Sequence, residues 1–155
     1  MTQRLDYNTA APAGMKALGG VYGYVSQSGL PKTLVDLVYL RISLINGCAY
    51  CIDMHTRDLI KEGVTIDKIV LTPVWHEAGE MFSAQERAAL KWAETVTKVA
   101  ETAMPDVEFQ AARAVFGEKE LADLTIAIGL MNTYNRLAIS FRATPQAVRE
   151  KLRVA

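Results

Sequence analysis

The two cysteines of this chain, Cys48 and Cys51, are three residues apart, and one of its two histidines, His55, follows four residues later. A Cys-x-x-Cys-x-x-x-His run reads first as a redox dithiol with its own acid/base group. Asn46 and Gly47 are turn residues just before a run compatible with a helix. If that helix begins near Cys48, Cys48, Cys51 and His55 fall within an arc of roughly 60° on one face. A thiol in the first turn points at unpaired N–H groups and the positive end of the helix dipole, and both favour thiolate. His55 lies one turn beyond Cys51, within reach of its proton. Three other readings compete. Two cysteines can simply be small buried apolar residues. Zinc would take Cys48, Cys51, His55 and His76, but the gap between the two histidines is not the short His–His spacing of zinc fingers. A purely structural disulfide would close a loop too short to constrain the unfolded chain much.

Helices must position this run. Apolar residues recur at helical spacing along the chain, alternation is scarce, and the expected class is all-α. A helix is expected from about Ala10 to Ser26, capped by Asn8 or Thr9, with Met15, Leu18, Val21, Tyr22 and Val25 as its apolar stripe. The next, from about Lys32 to Ile45, is apolar almost all round and is expected at the centre. Asp36 is out of place in it: a carboxylate there must be paired, protonated or exposed at a cavity. Its alternatives are a salt bridge, to Arg41 or a neighbouring helix, and a second proton-handling group facing the dithiol.

The dithiol helix is expected to run to about Glu62, with Gly63 as its C-cap. A short helix from Thr65 follows, anchored by Ile66, Ile69 and Val70. Val74 to Phe82 reads as irregular, with His76 on an exposed loop. Ser83 and Glu86 form a capping-box pattern that opens a helix with Ala88, Ala89, Trp92, Val96 and Val99 inward. The longest helix, Leu121 to Arg142, carries Asn132, Tyr134, Asn135 and Arg136 inside an apolar stretch, a pattern for an interface or a buried hydrogen-bond network.

Composition bounds the function. The chain has 155 residues, half of them hydrophobic, which makes one domain over 1–155 the expectation. The 17 basic side chains equal the 17 acidic ones, so no basic surface announces nucleic acid. No apolar run approaches the ~20 residues that span a bilayer, and no membrane partner is expected. No signal-peptide pattern follows Arg4 and Asp6, so a cytoplasmic protein is expected, where a cysteine pair is more often redox-active than structural.

The segment from Leu44 to His55 resembles the core motif of the AhpD-like alkylhydroperoxidases of the carboxymuconolactone decarboxylase superfamily. The segments Phe82 to Glu94 and Met131 to Leu137 are also similar to this family, so the resemblance runs from about Leu30 to Phe141. It implies an all-helical AhpD-like bundle assembled as a homo-oligomer, trimer or hexamer. It also implies a thiol-dependent peroxidase whose cysteine pair cycles between dithiol and disulfide. In the family pattern the second cysteine, Cys51, attacks a hydroperoxide and Cys48 resolves the sulfenic acid. His55 belongs to a proton relay completed by a carboxylate twelve residues before the first cysteine, here Asp36. A thiol reductant, a lipoyl or thioredoxin-like protein, would restore the dithiol, and no metal or other cofactor is required.

Two positions depart from the family pattern. Asp36 stands where better-known members have glutamate, and Tyr50 where the best-characterised have histidine. The physics of the helix end alone favours Cys48 as the more acidic thiol. The nearness of His55 favours Cys51 as the attacker, which is the expectation kept. Two other functions are consistent with the run: a redox-sensing oligomer with little turnover, and a decarboxylase or hydrolase using the same pocket. The superfamily's decarboxylases lack the cysteine pair.

Overall fold

The computed structural model describes residues 2–154. The expected domain span of 1–155 therefore ends, on each side, in a residue outside those described. The described residues are helical, with no strand among them. The helices are α1 (Tyr7–Ala10), α2 (Pro12–Ser26), α3 (Lys32–Asn46), α4 (Ala49–Lys61), α5 (Ile66–Leu71), α6 (Ala84–Thr97), α7 (Val99–Thr102), α8 (Asp106–Arg113), α9 (Glu118–Phe141) and α10 (Gln146–Val154). Two 3₁₀ turns, Thr72–Glu77 and Gly79–Met81, lie between α5 and α6.

The apolar sequence of α3 makes it the axis of the bundle. It packs chiefly against α4, α6 and α9. Val35, Val38, Tyr39 and Ile42 join Trp92, Phe116, Leu124, Ile128 and Met131 in one core cluster. On the other side, Leu37 and Leu40 join Leu59, Trp75, Phe82 and Leu90 in a second. Each fully buried side chain of this size contributes about 1.5–3 kcal/mol of transfer free energy. Because α3 is covered within one chain, its apolar circumference supplies no argument for an oligomer.

The turn from α3 to α4 is set by Gly47, in the left-handed region at φ 71°. A side chain there would be strained, and glycine is not. The Cys48 N–H donates back to the Ser43 carbonyl at 2.9 Å, closing α3. Cys48 itself then caps α4.

Several boundaries differ from the sequence expectations. The first helix is broken in two: Asp6, not Asn8 or Thr9, caps α1, and Pro12 starts α2 because its missing N–H costs nothing there. Of the α2 stripe only Val25 is buried, and Val21 and Tyr22 are 37% and 46% exposed, because α2 lies on the surface rather than under a further layer. In α5 only Ile69 is an anchor, and Ile66 and Val70 face outward. Val99 opens a separate short helix and is exposed. The long α9 starts at Glu118, three residues earlier than the apolar pattern shows, because Glu120 accepts the Gly117 N–H at 2.8 Å and holds its first turn. The Ser83–Glu86 capping box is present.

The last helix is tied to the dithiol helix. Asp53 accepts the Ala147 N–H at 3.1 Å, and Arg57 bridges Asp53 and Glu150 at 3.0 and 3.2 Å. Burial alone would push the Asp53 carboxyl up. The Ala147 amide and Arg57 reverse this and hold it below the usual range.

Candidate functional site

Three helices deliver the site. Cys48 sits at the N-cap of α4 with extended backbone, and its Sγ accepts the Cys51 N–H at 3.3 Å. A sulfur therefore takes the place of the usual capping oxygen, where the unpaired N–H groups of α4 favour negative charge. Cys51 lies in the first turn of α4, and the two are joined as a disulfide with their Cα atoms 5.3 Å apart. Both sulfurs are in the interior: the residues are 1% and 2% exposed.

One turn on, His55 is also buried, with its ring centroid 5.2 Å from that of Tyr39. Its Nδ1 is 3.5 Å from Oδ1 of Asp36 on α3. At this distance the imidazole lies against the carboxylate, but neither ring nitrogen has a well-formed hydrogen bond among the described residues. Cys51 and His55 line the same cavity of about 330 Å³, whose aromatic wall is Tyr7, Tyr22, Tyr50 and Tyr134.

The buried carboxylate continues to the surface. Asp36 Oδ2 accepts from Lys32 Nζ at 2.6 Å, one turn earlier on α3, and Lys32 also pairs closely with Glu62 at the end of α4. Burial opposes ionisation of Asp36. His55 and Lys32 outweigh it, and the carboxyl is held below its ordinary value. The ammonium of Lys32 loses some hydration, but the Asp36 carboxylate more than compensates and raises its pKa. Burial also pushes the Tyr39 phenol upward, and its hydroxyl has no partner among the described residues. Tyr39 is therefore a neutral wall behind the imidazole.

The four residues singled out by sequence, Cys48, Cys51, His55 and Asp36, are thus brought together around one helix–helix contact. Arg41, the other partner considered for Asp36, instead binds Glu94 at 2.8 Å, and Glu94 also accepts from the Trp75 indole. His76 lies on the 3₁₀ turn with its side chain exposed beside Glu77. The four zinc-ligand candidates are not gathered into a metal-holding group among the described residues.

The polar cluster of α9 is a hydrogen-bond network. Asn46 donates to Asn132 and Asn135 at 3.0 and 2.9 Å, Asn135 donates to Ser43 at 3.1 Å, and Asn132 to Thr97 at 3.1 Å. It fixes the end of α3 that leads into Gly47 and Cys48.

Sequence reasoning overlooked Lys32 and the tyrosine wall. Lys32 was findable, since Lys32 and Asp36 are four apart on a helix. The tyrosines come from α1, α2, α4 and α9, and no periodicity marks residues that meet only through the fold.

The comparisons with known proteins give the family and the fold. The model of the carboxymuconolactone decarboxylase family matches residues 12–95, which hold Asp36, both cysteines and His55. The chain belongs to this family. A Bacillus subtilis protein without an assigned function, YdfG, is 36% identical over 140 residues, covering 90% of this chain and 95% of its own. A crystal structure from Agrobacterium tumefaciens, of a protein of unknown function described as a putative antioxidant defence protein AhpD, superposes with a TM-score of 0.89. The two are 42% identical, over 93% of this chain and 98% of that one. An alkyl hydroperoxide reductase AhpD from Methylocella silvestris is 45% identical over 47 residues, which is 30% of this chain and 26% of that protein. The chain is thus an AhpD-like member with an all-helical AhpD-like fold. None of its described helices is long and apolar enough to cross a membrane.

Proposed function

We propose that the protein is a thiol-dependent peroxidase that reduces hydroperoxides through the Cys48–Cys51 pair. One observation carries this reading. The wall of a single cavity holds a redox-capable sulfur, Cys51, beside an imidazole, His55, that is backed by an ionised carboxylate, Asp36.

In the reduced protein His55 takes the Cys51 proton, and the thiolate attacks the terminal oxygen of the hydroperoxide. The O–O bond breaks, Cys51 becomes a sulfenic acid, and the leaving alkoxide takes a proton back from His55. Cys48 then attacks the Cys51 sulfur, water leaves, and the disulfide forms. The amide of Cys51 that Cys48 accepts favours its thiolate, the form that attacks. Two electrons from an external dithiol return the pair to the start. Asp36 orients the imidazole and balances its charge as the proton passes.

The protein acts in this reading as a homo-oligomer in the cytoplasm.

Steady-state consumption of hydrogen peroxide and cumene hydroperoxide with dihydrolipoamide tests the reading. Turnover by wild type, lost in both Cys51→Ser and Cys48→Ser, supports it. Disulfide formation without turnover would favour a redox sensor. An activity on an acid or ester that survives loss of both cysteines would favour a decarboxylase or hydrolase.

A further inference from the structure

A second cavity, of about 370 Å³, reaches the other sulfur. It is lined by Gly47, Cys48, Ile139, Arg142, Pro145 and Val148, among others, and Cys51 is not in its wall. The first cavity touches Cys51 and not Cys48. Tyr50 and Ala138 line both and form the partition between them. Each cavity is therefore lined by one cysteine of the disulfide, and the two cavities differ in chemistry. The Cys51 side holds His55 and four tyrosines. The Cys48 side is mostly apolar, with Arg142, Thr144 and the shared Tyr50 as its polar side chains, and holds neither histidine nor carboxylate.

We infer that the two substrates enter separately: the hydroperoxide reaches Cys51 through the tyrosine-walled cavity, and the reducing thiol reaches Cys48 through the cavity under α10. The inference rests on the peroxidase reading above and deepens it. Displacement at a disulfide sulfur needs the incoming thiolate in line with the bond that breaks, and access decides which sulfur is attacked. A thiolate in the second cavity meets Cys48 with Cys51 as the leaving sulfur. The Cys48–Cys51 bond breaks, a mixed disulfide forms between the reductant and Cys48, and Cys51 takes a proton through His55. The second thiol of the reductant then attacks its own bonded sulfur. That closes the reductant's disulfide and releases Cys48 as a thiolate that accepts the Cys51 N–H. The dithiol loses two electrons and two protons. The cysteine pair gains both electrons and, on Cys51, one of the protons, and the other passes to solvent.

The two half-reactions, measured separately by acid quench, alkylation and mass spectrometry, test the inference. Val148 is 46% exposed and Met54, in the Cys51 cavity, is 37% exposed, so tryptophan at either plugs its cavity from outside without disturbing the core. Val148→Trp should slow reduction of the disulfide by dihydrolipoamide tenfold or more relative to oxidation by cumene hydroperoxide. Met54→Trp should move the ratio the opposite way. Ile139→Trp, on the other wall of the Cys48 cavity, should repeat the effect of Val148→Trp. Quenching the reaction with 2-mercaptoethanol should place the mixed disulfide on Cys48. An adduct on Cys51, or slower reduction in Met54→Trp than in Val148→Trp, overturns the inference. The reduction arm uses no peroxide. A wild type that fails to react with peroxide therefore removes the peroxidase reading, while the reduction rates and the adduct still decide which sulfur is attacked.

Discussion

The two ends of α3 serve the same site with different chemistry. At its start Lys32 and Asp36 form a charged chain that runs from solvent to the imidazole of His55. At its end Ser43 and Asn46 form a neutral hydrogen-bond network with Asn132 and Asn135 of α9. The contrast follows from what each end supports. In the proposed mechanism the relay through His55 needs a group whose charge answers to pH. A sulfur held at a helix N-cap needs a fixed position, and neutral hydrogen bonds give that without the desolvation cost of a buried ion. The charged end should therefore govern rate and pH response, and the neutral end stability.

The largest effect expected is at the point where the charged chain meets the sulfur. His55→Gln should lower the rate of Cys51 oxidation by peroxide by about 10²–10⁴, the usual worth of a positioned acid/base group. The melting temperature should change little by comparison. A rate near wild type in that variant would break the link between the charged end and catalysis.

At the neutral end, Asn135 is fully buried. Asn135→Ala leaves Ser43 and Asn46 short of partners and should cost about 2–3 kcal/mol. In a chain of this length that lowers the melting temperature by roughly 5–10 °C. Its rate per folded molecule should fall far less than that of His55→Gln.

Asp36→Asn separates the two ends most sharply through pH. Its rate of oxidation should fall about tenfold, because the imidazole loses its orienting charge. The folded carboxyl sits below its ordinary value of 3.8, so its contribution to stability is full above that value and is lost as pH falls through the folded pKa. Urea denaturation from pH 7 to pH 3 should show wild type and Asp36→Asn converging in acid. The deficit of Asn135→Ala should stay constant over the same range.

The smallest effect belongs to Lys32, whose side chain is 66% exposed. Water screens its pairing, and Lys32→Met should cost no more than about 1 kcal/mol. The rate should fall only a few-fold, with the loss greatest at low salt.

Much of this site was legible in the sequence because its parts are local. The Cys-x-x-Cys-x-x-x-His spacing needs only a helix to bring its groups to one face, and Asp36 stood out as a charge in an apolar helix. The buried network was visible as polar residues inside α9. The details that did not show depend on tertiary contacts. Nothing in the spacing of Tyr7, Tyr22, Tyr50 and Tyr134 indicates that they share a wall. Likewise the exposure of Val21, Ile66 and Val70 follows from which faces the neighbouring helices cover, and an apolar stripe alone does not report that. The break between α1 and α2 falls at Ala11 and Pro12, and Asp6, two residues before Asn8, caps the short turn ahead of it.

The central claim is that Cys51 is the sulfur oxidised by peroxide. The direct measurement is stopped-flow reaction of the pre-reduced protein with hydrogen peroxide, with dimedone trapping and peptide mapping of Cys48→Ser and Cys51→Ser. The account expects a sulfenic acid on Cys51 to accumulate in Cys48→Ser, and Cys51→Ser to react no faster than a free thiol. A sulfenic acid on Cys48, or rapid oxidation of Cys51→Ser, would contradict it.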